Sequence, residues 1–445
     1  MNEGDYDDSR LRDFQAGHTR GFSRRDLLML SAAIGVGATA LPEPATATAL
    51  PEPASTAGNA PASTAANAPT SPAANAPANT AANAPAFAAG PIVKPLPPEL
   101  FTVFGTNAET RWSALKDQGY YVPIDRFFVR NHTSTPIIDP ATWSLEVSGS
   151  GLRGEGAQFS LRDLKRLPSE TRAVAVECAG NGRSYYTRQQ GQTVSGTAWG
   201  LGAVGVARWR GVRLSTVLRR AGLSRHAVDV QPTGLDANFV SGGVDLGPVR
   251  RPFPIRKALD DVLLAYEMND EPLPPDHGAP LRVLVPGWIG IASIKWVGRI
   301  EVSAEPLFSP WNTQFYRLFG EGYPVDGLPF DRQVIKSAFE LDPGATFPAG
   351  VRTRLTGRSW SANGPIRKVE VSTDSGASWR RARPYGATPG GVWQRWELDW
   401  TPAAGEHVLL ARATDVHGGT QPDTARHNTL GYLFDAVVKV PVTAR

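Results

Sequence analysis

Between Leu41 and Gly90 the chain runs almost entirely through Ala, Pro, Asn, Thr and Ser, with Asn59, Asn67, Asn75 and Asn83 each opening an Asn-Ala-Pro at a period of eight. Glu43 and Glu52 are its only charges and Phe87 its only aromatic residue. Such a stretch cannot bury enough apolar surface to offset the entropy of ordering it, so residues 41–90 read as a disordered linker. The folded body must begin near Pro91. Upstream, Ser23-Arg24-Arg25-Asp26-Leu27-Leu28 leads into an apolar stretch that ends at Leu41, and Ala38-Thr39-Ala40 supplies the small residues of a cleavage site. Residues 1–40 therefore read as a twin-arginine export signal, too short and too rich in Ala and Gly for a membrane span. That route carries folded proteins. It implies a cofactor inserted before export and a periplasmic, extracytoplasmic or envelope-side location.

The chain has 445 residues, 41% hydrophobic and 20% charged, enough for two or three packed domains. Its net charge of +4 is spread among interspersed signs, which argues against a nucleic-acid partner. A single cysteine excludes an intramolecular disulfide. From 91 to 325, short alternating strands such as Trp143-Ser144-Leu145-Glu146-Val147 mix with short helical patterns such as Leu214-Ser215-Thr216-Val217-Leu218. There is neither a regular βαβ rhythm nor a phosphate-type glycine motif, so the expected class is α+β. From 326 to 445, strand-like runs such as Val369-Glu370-Val371-Ser372 alternate with turns such as Thr373-Asp374-Ser375-Gly376. This predicts an immunoglobulin-like β-sandwich. Trp360, Trp379, Trp393, Trp396 and Trp400 read as its packing and edge residues, and His407, His417 and His427 as its surface.

The lone cysteine carries the chemistry. Val174-Ala175-Val176-Glu177 is a strand-like run that stops at Cys178-Ala179-Gly180-Asn181-Gly182-Arg183. Small residues let a bulky ligand approach the backbone, and Arg183 would favour the thiolate. A buried cysteine packed as a small hydrophobe remains the alternative on these residues alone.

Companion motifs narrow the choice. Phe127-Phe128-Val129-Arg130-Asn131-His132, Leu264-Ala265-Tyr266-Glu267-Met268-Asn269, His277-Gly278-Ala279-Pro280-Leu281-Arg282 and Ser293-Ile294-Lys295-Trp296 occur in order with the Cys178 loop. From about Asp125 to the C-terminus the chain resembles the sulfite oxidase family of molybdopterin-dependent oxidoreductases. The resemblance implies that Cys178 bonds molybdenum, whose soft character suits a thiolate. It implies that Phe128, Val129, Arg130, Asn131, His132, Asp236, His277, Arg282, Ser293, Ile294 and Lys295 hold the pterin and its phosphate. Arg130, Arg183 and Tyr316 would surround an oxyanion near the metal. It further implies a C-terminal dimerisation domain, a homodimer, and an external electron acceptor such as a c-type cytochrome. No haem is expected in this chain, because residues 41–90 cannot fold into a haem-binding domain.

Two positions depart from the family pattern. Leu430 stands where a substrate arginine precedes a glycine, and Ala292 where the Gly-Ala-Arg turn carries another. A charge-assisted bond to an anion contributes about 1.5–3 kcal/mol, so each loss weakens sulfite binding unless another cation substitutes. The expected activity is oxidation of sulfite or a related sulfur oxyanion. A neutral substrate such as a sulfoxide is the second reading, and a cofactor-free envelope binding protein the third.

Overall fold

The strand Ser169–Glu177 begins at the surface and ends fully buried, and it sets the geometry of everything around it. It pairs antiparallel along its whole length with Val204–Arg213. Leu263–Met268 joins the other edge of Val204–Arg213 and also pairs with Arg282–Leu284. A second sheet has the order Phe253–Pro254, Asp229–Gly234, Val297–Ser303, Ser144–Ser148, Ala157–Ser160. Short helices close the edges. Leu161–Arg166 starts at a capping box, in which Ser160 Oγ accepts from the Asp163 N–H and the Asp163 carboxylate accepts from the Ser160 N–H. Mixed sheets with separate short helices make this part α+β. Among the described residues no helix is long and apolar enough to cross a membrane.

This architecture comes from a computed structural model that describes residues 91–445. The export signal at 1–40 and the linker at 41–90 lie outside the described residues.

The C-terminal part is a two-sheet sandwich. One sheet has the order Lys336–Phe339, Thr353–Trp360, Trp393–Trp400, Arg383–Pro384. The other has the order Thr346–Phe347, Val440–Ala444, Gly405–Asp415, Ile366–Ser372, Arg380–Arg381. Period-2 alternation turns Trp396, Leu398 and Trp400 of one strand to a common buried face, while Trp393 is buried against Tyr120, whose O accepts its indole N–H at 3.0 Å. Trp379 lies under the Arg412 guanidinium, 4.2 Å from the ring centre.

The two parts meet in one apolar cluster that contains Val174, Val176, Cys178 and Trp209 together with Trp360, Trp396 and Phe434. At their junction the buried Glu177 carboxylate takes 2.8 Å from Lys336 Nζ, 2.9 Å from Asn181 Nδ2 and 2.9 Å from Trp360 Nε1. The residue that precedes Cys178 is thus tied to the first strand of the sandwich.

Candidate molybdopterin site

At the end of Ser169–Glu177 the backbone turns sharply. The Cys178 N–H donates to Ala203 O at 2.9 Å, and the Asn181 N–H returns to Cys178 O at 2.9 Å. Asn181 locks the turn from inside by accepting the Ala203 N–H at 3.0 Å. Gly182 has φ +94°, and a Cβ there would lie 3.0 Å from Phe434 Cβ. Only glycine serves at that position.

The thiol faces an open cavity of about 710 Å3. All the sequence-predicted site residues line it except Val129 and Arg183. Val129 and Arg130 occupy adjacent positions of one short strand, so their side chains point to opposite faces. Arg130 enters the cavity, while Val129 packs with Ile92, Phe101 and Ala108. Val129 offers the cavity no side chain.

Arg183 also departs from expectation. Its Nε donates to Leu430 O at 2.9 Å and its Nη1 to Thr197 O at 3.0 Å, while the guanidinium lies 5.2 Å from the Tyr432 ring centre. A Cβ on Gly180 would come within 2.6 Å of the guanidinium carbon, so the glycine exists to seat this side chain. The cation that shares the cavity with Cys178 and interacts with it electrostatically is Arg130, which also contacts His132 Nδ1. Leu430 offers its carbonyl to Arg183, and its side chain packs against the apolar cluster to which Tyr316 and Tyr432 belong.

Tyr316 has φ +57°, a conformation that costs a non-glycine residue energy and is held here by burial and stacking on Tyr432, with ring centres 5.3 Å apart. Burial pushes its phenol pKa up, so it remains a hydroxyl donor. His132 Nε2 accepts from Trp311 Nε1 at 3.0 Å, and burial drives its pKa well below the usual histidine range.

Behind these residues is a buried cationic shelf. Arg282 donates to His277 O at 3.0 Å and Ser293 O at 3.2 Å, and burial lowers its pKa to about 9. Lys295 Nζ donates to Asp276 O at 2.8 Å and to Asn131 Oδ1, and burial holds its pKa well below the usual lysine range. Ser293 spends its hydroxyl on the Val285 N–H at 3.1 Å, and Ile294 is 3% exposed. This turn therefore presents mainly backbone.

Two residues that sequence reasoning did not single out anchor the shelf. Asp276 accepts the N–H groups of Val93 at 3.0 Å and Lys94 at 2.7 Å, together with the Thr135 hydroxyl at 2.6 Å. Thr135 in turn accepts from Asn131 Nδ2 at 2.9 Å. Lys94 Nζ donates to Ile124 O at 3.2 Å and to Phe127 O, and burial lowers its pKa to about 7. The segment after the linker thereby straps onto the cavity wall. Nothing in the local composition around Lys94 signals this, since its partners come from distant loops.

The residues fit an anionic, ring-shaped group. Among the described residues no carboxylate forms an ion pair with Arg130, Arg282 or Lys295, and Arg282 Nε, His277 Nε2 and Asp236 Oδ1 are buried without partners. Buried cations of this kind require an anion. The unpartnered donor and acceptor atoms suit a phosphate and the edges of a pterin ring. No group of three or more His, Cys, Asp or Glu among the described residues could hold a metal ion. Metal binding at Cys178 therefore needs ligands from outside the protein, such as the sulfurs of a pterin dithiolene.

A single cysteine beside a cationic pterin-sized cavity, on an α+β body joined to a sandwich, defines a molybdopterin-binding oxidoreductase fold. Residues 132–311 match the family model described as an oxidoreductase molybdopterin binding domain, and residues 344–445 match the Mo-co oxidoreductase dimerisation domain. The chain is 35% identical over 366 residues to the mitochondrial sulfite oxidase of Drosophila melanogaster, covering 76% of this chain and 61% of that protein. It is 35% identical over 338 residues to the sulfite oxidase of Gallus gallus, covering 72% and 71%. The chain spans about three fifths of the length of the mitochondrial relatives it matches. The solved sulfane dehydrogenase SoxCD from Paracoccus pantotrophus matches with a TM-score of 0.65 at 27% identity, over 78% of this chain and 85% of that one. The chain belongs to the sulfite oxidase family.

Proposed function

We propose that this chain is an exported molybdenum-dependent oxidoreductase that converts sulfite, or a related sulfur oxyanion, to sulfate. The observation that carries this reading is the meeting of Cys178, Arg130 and Tyr316 at one end of a buried cationic cavity. The overall conversion takes up water and releases two electrons and two protons to an external acceptor such as a c-type cytochrome. When bound, molybdenum-molybdopterin supplies the oxygen transfer and two-electron chemistry.

The chain's own residues bind and orient. Cys178 supplies a thiolate ligand. Arg282, His277, Lys295 and Asp236 hold the cofactor's phosphate and ring edges, with Asn131 and Asp276 positioning Lys295. Arg130 pairs with the anionic substrate, and Tyr316 donates a hydrogen bond to it. Arg183 holds Leu430 and Thr197 and so shapes the pocket wall. The sandwich supports a homodimer, and the twin-arginine segment supports a periplasmic or extracytoplasmic location.

A neutral sulfoxide is the second reading. It is favoured by the apolar side chain of Leu430 and by an Arg183 whose Nε and Nη1 are spent on carbonyls. The test is steady-state turnover of cofactor-loaded protein with sulfite and ferricyanide, beside a sulfoxide with an artificial donor. Sulfite turnover is expected. Activity on the sulfoxide alone, or a fall of more than about tenfold in the sulfite KM on Leu430→Arg, would favour the neutral substrate. A well-folded sample made with molybdenum available but lacking molybdenum and pterin would overturn both and leave a binding protein.

A further inference from the structure

The short helix Pro310–Thr313 acts on the Cys178 cavity through a second residue. Ser309 and Asn312 form its capping box, with the Ser309 N–H on Asn312 Oδ1 at 2.7 Å, and Pro310 fills its first position. Trp311 is thereby set at the start of the helix, wholly buried. Its indole N–H donates to His132 Nε2 at 3.0 Å, and the two rings meet edge-to-face with centres 5.7 Å apart. Phe239 also packs edge-to-face on His132, at 5.0 Å. Trp311 is not part of the cavity wall, whereas His132 and Arg130 are.

Which nitrogen of His132 carries the proton follows from these partners. An indole N–H only donates, so Nε2 must accept. A neutral imidazole has one acceptor nitrogen, and its proton then sits on Nδ1. Burial, with Arg130 and Lys295 close by, keeps the ring neutral. Nδ1 faces the Arg130 guanidinium, which also only donates, so Trp311 and Arg130 compete for a single lone pair. Among the described residues Trp311 Nε1 has no other acceptor, and its side chain has no access to water, while Arg130 opens onto the cavity and can donate there. Leaving the buried indole N–H unpaired is the costlier choice. The lone pair goes to Trp311.

We propose that Trp311 is a positioning residue for this cavity: it fixes His132 as the Nδ1–H tautomer, so that His132 and Arg130 together offer two donors to one oxygen of a bound anion. A phosphate, a pterin carbonyl or a sulfur oxyanion has an oxygen that accepts from both at once. Without the indole N–H the proton is free to move to Nε2. Nδ1 then becomes an acceptor for Arg130 and draws the guanidinium away from the anion. The identity of that anion rests on the function proposed above, but the tautomer does not.

The test uses the full-length chain as isolated, labelled with 15N-histidine. Proton–nitrogen correlation spectra show which nitrogen of each of the seven histidines is protonated, and His132→Asn identifies the His132 signals. His132 should show the Nδ1–H pattern. In Trp311→Phe, which keeps an aromatic ring without the N–H, that pattern should give way to the Nε2–H form or to a mixture. A role in packing alone would lower stability and leave the tautomer as it was. Two further arms use cofactor-loaded protein and distinguish the source of the oxygen. If it belongs to the cofactor, Trp311→Phe should release pterin at least about tenfold faster, with sulfate affinity by calorimetry unchanged. If it belongs to the substrate, pterin is kept and sulfate binds about tenfold more weakly. His132→Asn, whose amide N–H stands in for Nδ1–H, should lie closer to wild type than His132→Ala in whichever arm responds. An Nε2–H pattern in the wild type, an unchanged tautomer in Trp311→Phe, or no change in both arms would overturn the proposal. A chain that carries neither molybdenum nor pterin would sink the proposed function, and the spectra would still decide this inference.

Discussion

At the scale of single residues, the decisive pair is Cys178 and Arg130. Cys178→Ser should lower turnover by at least about 100-fold in a sample that still retains pterin, measured by steady-state assay and by fluorescence of released pterin. Retained activity would remove the thiolate from the chemistry. Asp236 makes a separate prediction. Burial raises its carboxyl to about 6, and its Oδ1 is free to accept a hydrogen bond from a ring N–H. Only the carboxylate form accepts two such bonds, so cofactor release should accelerate as pH falls through about 6. Asp236→Asn should flatten that profile, as followed by molybdenum content after gel filtration across pH 5 to 8. Most of these residues were legible in the sequence because each sits in a short motif whose order is informative. Arg183 was not: besides Thr197, 14 residues on, it is held by Leu430, 247 residues away, which no local spacing reveals.

At the scale of elements, the strand Ser169–Glu177 and the first sandwich strand Lys336–Phe339 are joined by a buried ion pair at 2.8 Å, each partner 3% exposed. Lys336→Met leaves Glu177 buried without its cation and should cost about 3–5 kcal/mol of stability, measured by denaturant unfolding. Adding Glu177→Gln should recover much of that loss, and a double variant as unstable as the single one would show that packing dominates. The strap is the other element-level joint. Asp276→Ala removes the acceptor for the Val93 and Lys94 N–H groups. Protease cleavage near 91–94 should speed up and cofactor retention should fall, whereas Asp276→Asn, which keeps acceptor capacity, should lie between. The short strands and the Leu214 helix follow from apolar periodicity in the sequence. The Asp276 strap and the Glu177 junction do not, because each is made of polar residues whose partners are brought close only by the tertiary fold.

At the scale of the whole molecule, a sandwich that matches a dimerisation domain predicts a stable homodimer, and sedimentation across a wide concentration range should give twice the chain mass. A monomeric mass throughout would contradict it. The α+β body and the sandwich were both legible as changes of pattern along the chain. Their shared core was not, since periodicity shows which face of a strand is apolar but not what covers it. That sharing also sets an order of events in biosynthesis. Leu433 N–H donates to Ala179 O at 2.9 Å, Tyr186 Oη donates to Tyr432 O at 2.9 Å, and Arg183 is held by Leu430. The loop that bears Cys178 is thus completed by residues translated some 250 positions later. A ribosome-bound chain that already displays every pterin-facing motif still lacks the wall behind its thiol. Cofactor capture is therefore expected to wait until the 430–433 segment has been made, and a chain truncated before Leu430 should retain no pterin.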